Sequence, residues 1–435
     1  MAEIIQSPRG ACALGGALAA VASINKAVPI LHAGPGCGVQ AFAGQLGNAG
    51  PNRTSYTPDS FPCTNMSQHE VVFGGIDHLR EVVRGATEIL NGDVYFVLTG
   101  CTSDIIGDDV DSLVDEFVKE GKPVTFANTG GLYGDGARGY EIFVEALAAR
   151  IAPVTETKDE KLVNLFGIGP GLSKCWSGNI EEIARIIERL GLRVNTFFTR
   201  GEDYEKLLSS SAAFANIIIS PHLLKEAESL WETRHGIKSF RYTGLPVGPT
   251  ATTDFIRKVG EALGVDTAIV DRVTEEEESY FFDYASVTIG RLPTKKIAVV
   301  ADAGTAIGLT RFLSDDYSQE VVRVIVTDNV LPEDQPLVRE RLGGFQWAQN
   351  PEVFFLQDDY EIKQALEGDS FDMILGSSLE DEIVVPRGLQ FMVVSIPTGP
   401  DMILNKAYAG YRGALTFVED FIDACRPVHI PGISL

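Results

Sequence analysis

Apolar residues along this chain come in short runs, separated by longer stretches where they recur every three or four positions. Val94-Tyr95-Phe96-Val97-Leu98 is apolar throughout, as a strand covered on both faces must be. Similar runs predict strands over 28–31, 124–127, 161–168, 194–198, 215–220, 236–241, 296–301, 321–326, 371–375 and 389–396. The periodic stretches predict helices over 12–22, 69–90, 108–120, 140–151, 179–190, 204–209, 253–263, 360–366 and 415–425. Two more follow, one ending at Leu313 and one carrying the acidic run 275–278. In 108–120, Val110, Leu113, Val114 and Phe117 form a single stripe. Strands alternating with helices predict an α/β protein with parallel sheets covered on both faces. A polar link at 153–160 and a fresh start at Lys295 divide the chain into blocks 1–158, 159–293 and 294–435, the last closed by the C-terminal helix.

The pattern suits a chain of 435 residues, too long for one core and 45% hydrophobic. Sixty acidic against 36 basic residues give a net charge of −24, which argues against a nucleic-acid binder or an anionic membrane surface. No apolar run reaches the length of a membrane span, and the first nine residues lack a basic start followed by an apolar core. Together with six cysteines in a chain of this size, this predicts a cytoplasmic protein that uses its thiols as thiols.

Three of those thiols sit where ligands bind in parallel sheets, near the carboxyl ends of strands or at helix starts. Cys12 lies in Arg9-Gly10-Ala11-Cys12 ahead of a helix of Ala and Gly, Cys37 in His32-Ala33-Gly34-Pro35-Gly36-Cys37 after the first strand, and Cys101 after Thr99-Gly100. Small neighbours let a backbone close on whatever a thiol holds. The spacing matches no zinc ribbon or ferredoxin run, so the three would share a cluster with a second chain. Phe61-Pro62-Cys63-Thr64 offers a fourth thiol, left open as an extra ligand, and Cys175 and Cys425 read as structural. The Gly167–Gly171 and Asp302–Gly308 loops read as ordinary strand-to-helix turns, and there is no P-loop. His32 is expected to bond backbone carbonyls, and Asp108 and Asp109 to cap a helix.

These stretches, with Asn65-Met66-Ser67-Gln68-His69-Glu70-Val71-Val72-Phe73-Gly74-Gly75 and Thr99-Gly100-Cys101-Thr102-Ser103-Asp104-Ile105-Ile106-Gly107-Asp108-Asp109, resemble the β subunit of nitrogenase component 1. Leu245-Pro246-Val247-Gly248, Gly376-Ser377-Ser378 and Tyr408-Ala409-Gly410-Tyr411-Arg412-Gly413-Ala414-Leu415 fit the same family, so the resemblance covers nearly the whole chain. It implies three Rossmann-like domains around a cleft and pairing with a homologous α-like subunit as an α2β2 heterotetramer. Cys12, Cys37 and Cys101 match the cysteines that hold half of the P-cluster, an eight-iron, seven-sulfide iron–sulfur cluster shared with that α-like subunit. An ATP-dependent iron protein would deliver electrons, and this chain would relay them to a cofactor held by its partner.

The chain also departs from the family. A loop that usually reads His-Thr-Pro-Ser-Phe-Val-Gly-Ser is Asn128-Thr129-Gly130-Gly131-Leu132-Tyr133-Gly134-Asp135, without the serine that joins the oxidised P-cluster in some members. The usual Gly-Phe-Pro is Ser395-Ile396-Pro397, followed by Thr398-Gly399-Pro400, and the long N-terminal extension of molybdenum enzymes is missing. These departures resemble methylthio-alkane reductase, a nitrogenase-like enzyme that cleaves the C–S bonds of small organic sulfides. The alternatives are a divergent dinitrogen-reducing nitrogenase and a cofactor-assembly scaffold.

Overall fold

The computed structural model describes residues 5–38, 50–52, 61–345, 348–368, 371–399 and 401–425. Pro400 and the first four residues, used in the sequence reading, lie outside them. The described strands form three sheets, and every recorded pair is parallel. The first has the order β1 (Ala27–His32), β2 (Val94–Thr99), β3 (Val124–Ala127). The second contains β4 (Asp159–Phe166), β5 (Arg193–Asn195), β6 (Ala213–Ile219) and β7 (Lys238–Tyr242) in the order β5-β4-β6-β7. The third contains β8 (Lys296–Ala301), β9 (Glu320–Val326), β10 (Glu352–Phe355), β11 (Met373–Gly376) and β12 (Gln390–Val393) in the order β10-β9-β8-β11-β12.

The first sheet shows why its strands are apolar at every position. Val28, Ile30, Tyr95, Val97, Val124 and Phe126 pack outward against Leu79, Val83, Val110, Leu113, Val114 and Phe117. The alternate residues Leu31, Phe96 and Leu98 join a core that runs through all three sheets. The Ala13–Ala22 helix covers that inner face and lies against the Gly136–Ala146 helix. A Cβ on Gly16 would stand 1.9 Å from the Gly136 carbonyl oxygen, so only small residues allow the two helices to meet backbone to backbone.

Several expectations need correction. The helix predicted over 69–90 is two helices, Gln68–Phe73 and Ile76–Ile89, broken at Gly74-Gly75. The strand predicted over 194–198 ends at Asn195, because Phe197 turns into the left-handed region at φ 65°. Helices Cys101–Ile106, Lys225–His235, Gln335–Arg341 and Asp381–Arg387 were not predicted. The C-terminal helix Gly410–Ala424 also packs beyond the third sheet. Tyr411 hydroxyl meets Thr253 hydroxyl at 2.7 Å, and the amides of Tyr408 and Ala409 donate to Asn179 Oδ1 at 2.8 and 2.9 Å.

Candidate metal centre

The carboxyl end of the first sheet gathers the predicted cysteines. Strand β1 runs out through Ala33-Gly34 into a helical turn at 35–38 that carries Cys37. Strand β2 passes through Gly100 directly into the Cys101–Ile106 helix. Ser103 locks that start, its hydroxyl accepting from the Gly100 amide at 3.1 Å and donating to His32 O at 2.8 Å. Cys12 sits at the N-cap of the Ala13–Ala22 helix, tied by an antiparallel bridge to Asp135 and by the Ala13 amide donating to Gly134 O at 2.9 Å.

Gly131 brings two of these cysteines together. Its amide donates to Cys101 Sγ at 3.1 Å, and a Cβ there would lie 3.2 Å from Cys101 Sγ, 3.2 Å from Cys12 Cβ and 3.7 Å from Cys12 Sγ. Asp104 seats the loop by accepting from the Gly130 amide at 2.9 Å. Cys12 and Cys101 are exposed, while Cys37 and Cys63 are half-buried. Burial pushes the Cys37 thiol up, and the Cys12, Cys101 and Cys63 thiols push in the same direction.

Cys63 is drawn in by a parallel bridge to Leu31 on β1. Its sulfur accepts from the Asn65 amide at 3.3 Å. By contrast, Cys175 is buried in the core and its thiol is pushed up to about 12. Cys425 caps the last helix.

Among the described residues, no three Cys, His, Asp or Glu side chains close on one point as the ligands of a single metal ion do. Two exposed and two half-buried thiols, a glycine whose missing Cβ leaves room beside two of them, and an amide aimed at one sulfur are a donor set of the kind an iron–sulfur cluster takes. Val72, Phe73, Ile105 and Leu132 beside this face are each at least 70% exposed.

His32 does not bond backbone carbonyls. It is fully buried, with Nε2 2.8 Å from Asp108 Oδ2 and Nδ1 3.2 Å from Thr64 Oγ1. Burial lowers its pKa against the opposing pull of Asp108. Asp108 also accepts from the Gly75 amide, with both oxygens at 3.1 Å, so it pins the break between the two helices rather than capping one. Asp109 is the cap, accepting from the Ser112 amide at 3.1 Å. His69 and His78 fall on different helices. The sequence marks the 128–135 loop as a departure without singling out Gly131, because Cys12 and Cys101 lie far from it along the chain and meet it only in the fold.

The carboxyl ends of the third sheet are lined differently. Asp302 follows β8 and Asp328 follows β9, with His222 Nε2 3.2 Å from Asp328 Oδ2. Asp302 Oδ2 is sealed from solvent with no hydrogen-bond partner among the described residues. Burial pushes both carboxyls well above the usual range. Asp302 caps its helix through the Thr305 amide at 3.0 Å, as an ordinary strand-to-helix turn does.

Among the described residues, no helix is long and apolar enough to cross a membrane. Residues 12–426 match the family model described as nitrogenase component 1 type oxidoreductase. The chain is 22% identical to the nitrogenase molybdenum-iron protein beta chain of Azotobacter vinelandii, over 96% of this chain and 83% of that relative. It is 23% identical to the nitrogenase iron-molybdenum cofactor biosynthesis protein NifE of Rippkaea orientalis, over 98% of this chain and 86% of that one. The solved structure "Nitrogenase Cp1 at pH 6.5" shares its fold with a TM-score of 0.80 at 19% identity, covering 98% of this chain and 94% of that one. With the model matched from Cys12 to beyond the last helix, the chain belongs to the nitrogenase component 1 type oxidoreductases.

Proposed function

We propose that this chain is the β-like subunit of a nitrogenase-like reductase and holds, through Cys12, Cys37 and Cys101, half of an iron–sulfur cluster of the P-cluster type. The observation that carries the reading is the seating of Cys12 and Cys101 around Gly131, on an exposed face shared with the Cys37 turn. Bound there, the cluster would supply reversible electron storage. The residues of this chain orient and tune: the Gly131 amide donates to Cys101 Sγ, and Ser103 fixes the turn that presents it. The exposed Val72, Phe73, Ile105 and Leu132 support partner surfaces for a homologous α-like subunit and an ATP-dependent iron protein. Catalysis then takes place on the α-like subunit, in the cytoplasm, within an α2β2 assembly. The domain limits near 158 and 293 belong to the same proposal.

For the substrate we propose methylthio-alkanes, reduced at a C–S bond. Support comes from the Gly130-Gly131 loop, where nitrogenase β chains carry a serine in the resemblance described above. The test is turnover by the complex, purified without oxygen, with its iron protein and ATP. Methane and methanethiol from dimethyl sulfide support the proposal, whereas ammonia from dinitrogen in their place overturns the substrate. The assembly-scaffold reading draws on the similarity to NifE. An iron-poor complex with no turnover of either substrate would favour it.

A further inference from the structure

We infer that Arg9 is a positioning residue for Cys12, and that through it the cluster face is coupled to the third sheet; the inference rests on the cluster reading above. Residues 5–9 leave the cysteine face and run to the carboxyl ends of β10 and β11. Pro8 forms an antiparallel bridge with Asp358, the Asp359 amide donates to Ser7 O at 3.0 Å, and the Gln6 amide donates to the Asp358 carboxylate. The Arg9 side chain is only 6% exposed. Its guanidinium reaches Asp359 Oδ1 at 2.7 Å, Glu380 Oε1 at 2.7 Å and Oε2 at 3.1 Å, and Ser377 Oγ at 2.6 Å. Glu380 is 1% exposed and in turn caps Ser377, accepting from its amide at 2.6 Å. A planar fork clamped between buried carboxylates holds the chain at a defined point.

Only Gly10 and Ala11 separate this clamp from Cys12, whose other side is tied to Gly134 and Asp135. Cys37 and Cys101 instead hang from neighbouring strands of one sheet, β1 and β2. Cys12 is therefore the one of the three whose place depends on how the third sheet sits against the first. Supporting residues of this kind set ligand geometry without touching the metal.

The test compares the unaltered complex with Arg9→Met, Arg9→Lys and Ser377→Ala, using two readouts. Amide exchange is expected to quicken about tenfold over residues 5–16 in Arg9→Met while residues 94–99 stay unchanged. Iron is retained, but the paramagnetic resonance and midpoint potential of the cluster shift. Arg9→Lys, which keeps the charge but not the fork, restores the unaltered spectrum in part. Should Arg9→Met fail to fold, Ser377→Ala, which removes one of the four Arg9 guanidinium contacts together with the hydroxyl's bonds to Glu380 Oε2 and the Leu379 amide, must shift both readouts in the same direction by less. Faster exchange with an unchanged spectrum and potential overturns the inference, as does unchanged exchange. Absence of iron from the unaltered complex defeats the proposed function instead, and the exchange arm still decides whether Arg9 holds Cys12 in place.

Discussion

The first and third sheets present the same architectural feature, the carboxyl ends of parallel strands, with opposite chemistry. The first sheet ends in Cys37, Cys101 and the Gly130-Gly131 loop, with Cys101 exposed beside exposed apolar side chains. The third ends in Asp302, Asp328, Asp358 and Ser377, and the chain closes these ends with its own groups. Arg9 bridges the turns that follow β10 and β11, and His222 faces Asp328 beyond β9. The fold thus offers such positions more than once; among the described residues the first sheet's end presents soft donors, two of them exposed, where the third presents carboxylates closed by the chain itself.

The contrast can be broken most severely at the thiols. Cys101→Ala or Cys37→Ala is expected to strip most of the iron from the complex and abolish electron transfer, while circular dichroism keeps the native signature. Cys175→Ala, in the core, should leave iron content alone and lower the melting temperature only. Next comes Arg9→Met, which leaves the buried Glu380 without its cation and should cost about 3–5 kcal/mol in denaturant unfolding. Gly131→Val places a branched side chain between Cys12 and Cys101, and is expected to lower iron content with little change in melting temperature.

A smaller effect should appear at the third sheet's end as a pH dependence. Asp302 and Asp328 hold their protons in the folded state at pH values where the unfolded chain releases them. The unfolded state therefore binds fewer protons, and stability falls as pH rises from about 4 towards neutrality. Burial lowers the pKa of His222, so that group works in the opposite direction below its ordinary pKa. Melting temperatures across this window should fall less steeply in Asp302→Asn/Asp328→Asn than in the unaltered chain. The smallest effect belongs to Asp109→Ala, which loses one helix cap for about 1 kcal/mol, read in the same unfolding assay.

Much of this contrast was legible in the residues. Fully apolar runs such as 94–98 announced buried parallel strands, and the small residues after Cys12 announced the close backbone approach of Gly16 to Gly136, whereas Gly34 and Gly36 beside Cys37 stand clear of other backbone. What could not be read depended on partners far away in the chain. The 69–90 stretch keeps a helical rhythm across Gly74-Gly75, and it breaks where Asp108 takes the Gly75 amide. The Cys101–Ile106 helix is too short to show a period and starts only because Ser103 reaches back to Gly100. Arg9 looks like an exposed N-terminal charge until Asp359 and Glu380, some 350 and 371 positions on, close around it.

The central claim is that Cys12, Cys37 and Cys101 hold an iron–sulfur cluster at an open face. The most direct measurement is iron and acid-labile sulfide per complex purified without oxygen, for the unaltered protein and for Cys101→Ala. The account predicts abundant iron and sulfide in the first and their loss in the second, with both complexes eluting at the same size. Equal iron in both complexes would contradict it.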